Sequence, residues 1–233
     1  MTADVLDVGL LVRQVRRLID LTDAELGDEF FPAHLSVALI DAVFTPRLHY
    51  YRQVVPIIER YCGRFNLRRT RSDRTILPHV DDQESLTDLI DNYEALGPSG
   101  LQEAIVRFRY CSPGTRILKS QNVKRAAVEL RGIGIETLQD AQSTPPDEIK
   151  CVLQPLAGIK DRTIHMFLMY VGDDEFVKGD VHVCRFVAKA LRKPRVSAEV
   201  AEQLVAEAAR ALGVAPRLLD YEIWKLGAMS NGP

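Results

Sequence analysis

The residues best suited to chemistry lie in one stretch of the chain, residues 153–186. A tight turn at residues 157–160 separates two predicted helices, and Gly158 lets the backbone turn sharply and approach a ligand closely. The amides of this turn and of the following helix start can bind a phosphate, and Lys160 adds a cation there. An ordinary corner between two helices has the same turn, so the turn alone is a weak signal.

An acid follows this turn about twenty residues later in the chain. Asp180 stands at the predicted start of another helix. A carboxylate in this place can stabilise a developing cation or orient a water molecule. It can equally cap the helix by accepting hydrogen bonds from the first amides. The order and spacing of the turn and the acid are more specific than either feature alone.

These two features together resemble the helix-hairpin-helix DNA glycosylase superfamily. Residues 156–164 (LAGIKDRTI) resemble the hairpin of that family, and residues 179–182 (GDVH) resemble its acidic turn. More loosely, residues 35–45 (LSVALIDAVFT) resemble an early helix of the family. The matching core covers about 35 residues, and with the early helix the resemblance extends over residues 35–191.

The chain departs from the family pattern at several positions. It has Ala157 where the hairpin usually has proline and Lys160 where a second glycine is usual. Arg162 occupies the position of the nucleophilic lysine of bifunctional members, and Val43 stands where several members carry glutamine. The cysteine cluster of the iron–sulfur members is absent from the sequence. The resemblance therefore indicates a divergent member without an iron–sulfur cluster.

The resemblance implies an enzyme that flips a nucleotide out of double-stranded DNA and hydrolyses the bond between base and sugar. Asp180 is the expected catalytic carboxylate, and the turn residues are expected to hold a DNA phosphate. Arginine stays protonated and forms no Schiff base, so Arg162 indicates a monofunctional glycosylase without lyase activity. The residues expected to bind DNA through this motif are Gly158, Ile159, Lys160, Arg162 and Thr163.

Arginines also crowd residues 60–74, where Asp73 is the single acid. Such a run is either a solvated face or a phosphate-binding surface, and Arg68, Arg69 and Arg71 are the candidates for DNA contact. Five further residues are candidates for a base pocket or a strand-separating wedge, with packing in the core as the alternative. They are Val43, Phe44, His49, Tyr50 and His182.

The elements that must position these residues are predicted to be helices, because apolar residues recur at helical spacing and no alternating strand pattern is present. The predicted class is all-α, with two helical lobes, a cleft between them and the hairpin motif at about 147–172. One lobe, residues 25–173, carries the hairpin, and the other, residues 1–24 with 174–233, carries Asp180. Predicted helices include 32–44, 99–110 and 115–130, with Thr144 as a helix cap.

Composition limits the remaining possibilities. The chain has 233 residues and a formal net charge of −2, which excludes a protein that coats nucleic acid by bulk charge. No apolar run approaches the roughly 20 residues of a membrane span, and no secretory signal is visible. Four cysteines without metal-ligand spacing predict buried thiols in a cytoplasmic protein. We expect a monomer without metal or cofactor.

Three hypotheses remain at this stage. The first is a glycosylase acting on a damaged base, or on a modified phage base as a defence factor. The second is a non-catalytic DNA-binding protein that keeps the hairpin as a phosphate clamp. The third is a helical interaction module in which Asp180 is only a cap and the arginines are only a solvated face.

Overall fold

A computed structural model of the chain describes residues 5–172 and 174–229, which form eleven α-helices and no β-sheet. The helices are α1 (Val5–Leu18), α2 (Leu35–Phe44), α3 (Val55–Phe65), α4 (Leu86–Leu101), α5 (Lys119–Gly132), α6 (Leu138–Ser143), α7 (Pro146–Leu153), α8 (Asp161–Val171), α9 (Val181–Ala190), α10 (Ala198–Leu212) and α11 (Pro216–Met229). The predicted all-α class is confirmed.

Two predicted helices begin later than the sequence suggested. Helix α2 begins at Leu35 instead of Pro32, because Pro32 forms an isolated antiparallel bridge with Thr70 and holds that segment extended. Helix α5 begins at Lys119 instead of Thr115, because residues 111–118 fold back into a loop closed by a Cys111–Leu118 bridge.

Two further predictions about helix ends were wrong. The predicted break at Gly97-Pro98 is present inside α4, where Gly97 has a non-helical φ of 65°, but the helical segment after it ends in a turn of π-helix over Gln102–Val106 instead of at Tyr110. Arg107 then ends the helix in a left-handed conformation, with φ of 65°. Thr144 does not cap α7: its hydroxyl donates to the Asp140 carbonyl at 2.7 Å and so closes α6.

The chain divides into two compact units. The inserted unit is residues 28–172 and contains α2 to α8, while the terminal unit is residues 1–27 with 173–233 and contains α1 and α9 to α11. Helix α2 is the centre of the inserted unit, since all ten of its residues are buried. In the terminal unit, Leu11 and Val15 of α1 pack into a core formed with α9, α10 and α11.

The four cysteines are free thiols, but only Cys62 is buried, whereas Cys111 and Cys151 are exposed. The expectation of buried thiols was therefore wrong for these two, which lie on a loop and on an outward helix face. Among the described residues, no helix is both long enough and apolar enough to span a lipid bilayer.

Candidate functional site

The predicted hairpin is present in the inserted unit between α7 and α8. Gly158, at its centre, has a φ of +90°, which L side chains rarely adopt. A Cβ atom at this position would lie 2.5 Å from the Cβ of Ser112 and 3.0 Å from the side-chain nitrogen of Asn122. Both the backbone conformation and the close packing therefore require glycine here.

The hairpin is held from inside and open on its outer side. Ile159 and Thr163 are buried, with 1% and 5% of their surface exposed, so their side chains anchor the motif in the core. Lys160 and Arg162 are exposed at the start of α8. Within the described chain, the amides of residues 160–162 donate no hydrogen bond, as expected at a helix N-terminus. The exposed Asp161 is a negative charge at the same place, between these two cations.

A neighbouring loop fixes the hairpin in place. The Asn122 side-chain amide donates to the Ala157 carbonyl at 3.0 Å and to the Ser112 hydroxyl at 2.8 Å. The Ser112 amide in turn donates to the Ile117 carbonyl at 2.8 Å. The turn at 157–160, the loop at 111–118 and the start of α5 are thus one connected structure.

Asp180 lies in the terminal unit, immediately before α9. Its Oδ1 oxygen accepts the amides of His182 at 2.8 Å and Val183 at 3.1 Å, so Asp180 caps the helix. The side chain is half-buried, and no described residue donates a hydrogen bond to the second oxygen, Oδ2. The capping role and an open carboxylate oxygen therefore coexist in one residue.

The turn that presents Asp180 is held by two other carboxylates. Asp220 of α11 accepts the Lys178 amide at 3.2 Å, and Glu202 of α10 accepts the Gly179 amide at 2.9 Å. A Cβ at Gly179 would meet the Glu202 oxygen at 2.7 Å and the Ala198 carbonyl at 2.9 Å. The backbone before Asp180 is therefore fixed on both sides by α10 and α11.

Asp220 lies in a different electrostatic environment from Asp180. It is only 4% exposed, and this burial, together with the nearby charge of Asp180, raises the pKa of Asp220 well above its ordinary value. The turn before α9 therefore brings a buried carboxyl close to the half-buried Asp180.

His182 packs inside the terminal unit, half-buried. Its ring lies against Gly227 of α11 so closely that a Cβ there would meet Nδ1 at 2.6 Å. This contact supports the packing alternative that the sequence left open for His182.

The arginine-rich segment is largely engaged within the inserted unit. Arg69 donates to the Tyr50 hydroxyl at 3.2 Å, and Arg71 donates to the Pro32 carbonyl at 3.1 Å. Arg74 pairs with Asp28 at 2.6 Å. Of the three candidates for DNA contact in this segment, Arg68 is the one that is exposed.

The early-helix candidates separate into core and surface residues. Val43 and Phe44 are buried, with 3% and 1% exposed, so their side chains belong to the core. His49 is exposed and caps the next turn by accepting the Arg52 amide at 3.3 Å. Tyr50 is half-buried and donates to Asp41 at 2.9 Å.

Asp41 is the centre of a polar network that sequence analysis missed. It accepts the hydroxyls of Thr45 at 2.8 Å and Tyr50 at 2.9 Å, and it lines a small pocket together with Tyr170. Burial raises the pKa of Asp41, an effect that these hydroxyls and the charge of Arg69 oppose. An acid in an otherwise apolar helix, as in LSVALIDAVF, is the sequence signal that could have identified it.

Lys119 is a second residue that the sequence did not single out. It is 2% exposed, and its Nζ donates to the Val43 carbonyl at 2.7 Å near the C-terminal end of α2. Burial lowers the pKa of this amine to about 7, with a smaller contribution from the charge of Arg47. It is therefore an amine that is partly neutral near neutral pH.

The structure thus groups the predicted residues by unit. The hairpin, the arginine-rich segment, His49 and Tyr50 belong to the inserted unit, and Asp180 and His182 belong to the terminal unit.

Comparison with known proteins gives a family and a fold. The family described as "Domain of unknown function (DUF8548)" matches residues 10–228. The chain is similar in structure to the 3-methyladenine DNA glycosylase Mag1 of Schizosaccharomyces pombe, solved in complex with abasic DNA. The TM-score is 0.60 at 15% sequence identity, over 94% of this chain and 95% of that one. No curated protein matches the sequence.

Proposed function

The chain belongs to the DUF8548 family, and we propose that it is a monofunctional DNA glycosylase. Its substrate is double-stranded DNA with a damaged or modified base, which is flipped out and removed to leave an abasic site. Modified bases include those of phage DNA, in which case the protein acts in defence.

In this proposal the hairpin binds the DNA backbone. The open amides at the start of α8, with Lys160 and Arg162 beside them, offer donors and positive charge to one phosphate. Because Ile159 and Thr163 are buried, they contribute through the backbone and through packing, not through side-chain contact with DNA. Phosphate contacts of this kind fix the register of the protein without reading sequence.

Asp180 is the proposed catalytic carboxylate. The bond between the sugar C1′ atom and the base nitrogen breaks, the electron pair leaves with the base, and the sugar gains oxocarbenium character. A carboxylate beside the sugar stabilises that charge, and it can take the proton of the water molecule that adds to C1′. The products are the free base and an abasic sugar.

One observation carries the proposal: Asp180 caps α9 through Oδ1 while Oδ2 accepts no hydrogen bond from any described residue. The cap therefore occupies Oδ1 alone and leaves Oδ2 available to a substrate or a water molecule. The spacing from the hairpin and the fold shared with a DNA glycosylase support the same reading.

The experiment is to incubate the protein with duplexes that each carry one of a panel of damaged or modified bases. Released bases are identified by mass spectrometry, and abasic sites are revealed by alkaline cleavage. Release of at least one base is the expected result. DNA binding without release from any substrate would instead favour the non-catalytic alternative.

Asp180→Asn tests the assigned role on whichever substrate is cleaved. Asparagine keeps the capping oxygen and removes the charge, so folding and DNA affinity should change little. One charge contact in a transition state contributes about 3 to 4 kcal/mol, so base release should fall at least about 100-fold. A variant that releases base at nearly the wild-type rate would remove Asp180 from the mechanism.

A further inference from the structure

A buried histidine joins distant segments of the inserted unit at the start of α2. His34 is 5% exposed, and its Nδ1 atom accepts the Glu84 amide at 2.9 Å, from a residue fifty positions further along the chain. A ring nitrogen that accepts an N–H carries no proton, so the imidazole is neutral with its proton on Nε2. Nε2 makes no hydrogen bond of ordinary geometry within the described chain. The Glu84 amide is therefore the hydrogen-bond partner on which this ring depends.

Glu84 is held from its other side by α3 and α4. Its Oε1 oxygen accepts the Tyr61 hydroxyl at 2.7 Å and the Asn92 side-chain amide at 2.7 Å. The hydrogen bond from its backbone to His34 is buried, so an amide that lost this acceptor would be left without a partner, which is costly in a protein interior. The contact between His34 and Glu84 thus connects the start of α2 to α3 and α4.

Protonation of His34 would break this contact. A proton on Nδ1 turns the acceptor into a donor, which then faces the N–H of Glu84. Burial lowers the pKa of His34 below its ordinary value of 6.5, and the charge of Arg68 lowers it further, while a smaller contribution from the Arg68 backbone opposes this shift. The ring also stands at the N-terminus of α2, where the helix dipole disfavours a cation.

The charged groups around the ring do not compensate a positive charge on it. Arg68, which follows α3, is itself a cation. Burial raises the pKa of the Glu84 carboxyl and the charge of Asp88 in α4 raises it further, although the hydroxyl and amide groups bonded to this carboxyl oppose the shift. Acid therefore favours loss of negative charge from Glu84 at the same time as it favours a positive charge on His34.

The residues just before α2 also hold the arginine-rich segment. The Ala33 amide donates to the Arg69 carbonyl at 3.1 Å, and the Arg71 amide donates to the Phe31 carbonyl at 2.8 Å. Residues 31–34 are thus bonded to the arginine-rich segment through their backbone and to the loop before α4 through the imidazole. A change at His34 acts on both.

We propose that His34 is an acid-sensitive switch: the neutral ring holds residues 31–34 and 83–85 together, and its protonation releases these two segments while the helices of the inserted unit stay folded. The closed form takes up the proton less readily than the open form, so it loses stability as the pH falls below about 6.5. The equilibrium constant for opening rises by at most about ten-fold per pH unit. The switch requires neither DNA nor base release.

The test is hydrogen–deuterium exchange followed by mass spectrometry at several pH values on both sides of 6.5, with the rates corrected for the intrinsic effect of pH. In the wild type, peptides that cover residues 31–34 and 83–85 should lose protection as the pH falls, whereas peptides of α10 in the terminal unit should keep theirs. His34→Gln retains an acceptor for the Glu84 amide but cannot be protonated. Its protection at both segments should stay constant over the same pH range.

The matched control is His79→Gln, which makes the same substitution at an exposed histidine that accepts the Asp81 amide at 3.4 Å. It should keep the pH response of the wild type.

A second variant tests the switch without altering the ring. Arg68→Gln removes a cation that disfavours the protonated imidazole, so the midpoint of the pH response should move to higher pH. A histidine that served only to pack the core would give no midpoint for Arg68 to move. This variant decides the question if His34→Gln fails to fold.

Four results would overturn the proposal. One is protection at residues 31–34 and 83–85 that does not depend on pH in the wild type. Another is a folded His34→Gln variant that opens with the same pH response as the wild type. A third is loss of protection in α10 together with these segments, which would show acid unfolding of the whole chain. The fourth is a midpoint that Arg68→Gln leaves unchanged.

Discussion

Lys119 places a titratable amine inside the inserted unit. Its hydrogen bond to the Val43 carbonyl satisfies one of the free acceptors at the end of α2, a role that lysine often has at helix C-termini. The amine has lost most of its water, and its pKa is lowered from 10.5 to about 7. The folded protein therefore binds this proton less tightly than the unfolded chain does.

This difference makes stability depend on pH. Between about pH 7 and 10.5 the unfolded chain holds the Lys119 proton and the folded protein releases it, so the contribution of Lys119 to stability should rise with pH across that window. The slope is at most about 1.4 kcal/mol per pH unit. Lys119→Met should lose this slope in urea unfolding measured at several pH values.

The control for this measurement is Lys124→Met on the same helix, where the lysine is exposed and pairs with Glu94 at 2.9 Å. It should keep the slope of the wild type. An unchanged slope in Lys119→Met would show that the amine is not the titrating group.

Whether the protein cleaves the DNA strand itself also depends on single residues. A lyase needs an amine that is neutral part of the time, and Arg162 never supplies one. We therefore expect the wild type to leave abasic sites that break only after alkali or heat. Borohydride should trap no covalent adduct, because Lys160 is on the exposed hairpin and Lys119 is buried.

Efficient trapping would refute the monofunctional assignment. In that case Lys160→Ala and Lys119→Met identify the amine, because only the variant that lacks the reacting lysine would lose the adduct.

At the scale of elements, the turn before α9 is positioned by α10 and α11. Asp220 accepts the Lys178 amide, and burial, together with the charge of Asp180, raises its pKa well above the ordinary value. Asp220→Asn should preserve the acceptor and alter base release only a few-fold. Asp220→Ala leaves a buried amide without a partner, at about 1 to 3 kcal/mol, and should lower kcat more than it changes KM.

Gly179→Ala should have a similar effect, because its Cβ would strike Glu202 and Ala198. The matched control is Gly63→Ala in α3, where no atom lies within 4 Å of an added Cβ. Gly63→Ala should be at least as stable as the wild type, since alanine favours helix. If Gly179→Ala retained full stability and activity, the turn would not need its fixed position.

At the scale of the whole molecule, a net charge of −2 coexists with two exposed cations at the hairpin, Lys160 and Arg162. DNA affinity should therefore fall steeply with salt, and Lys160→Glu should weaken binding about equally for all sequences. Lys193→Glu makes the same change of charge at a lysine that pairs with Asp7 at 2.8 Å in the terminal unit. Titration of both variants at several salt concentrations is the measurement.

A Lys160→Glu variant that binds as tightly as the wild type would refute the hairpin as the phosphate site. Equal loss in Lys193→Glu would instead indicate a response to total charge.

The sequence by itself determined the features that local physics controls. Apolar periodicity predicted helices, and Asp180 marked the start of one of them, because a helix cap depends on hydrogen bonds within a few residues. The need for glycine at position 158 was equally local, because the turn between α7 and α8 demands a positive φ.

Tertiary structure decided what depends on residues distant in the chain. The partners of Arg69 and Arg71, the burial of Lys119 and the outward ring of Phe108 follow from packing between segments that sequence spacing does not reveal. The same is true of Asp220, which lies forty residues after Asp180 and reaches its turn only because α11 packs on α9. Side-chain type fixes which chemistry a residue can perform, whereas burial and neighbours decide its charge, its exposure and its partners.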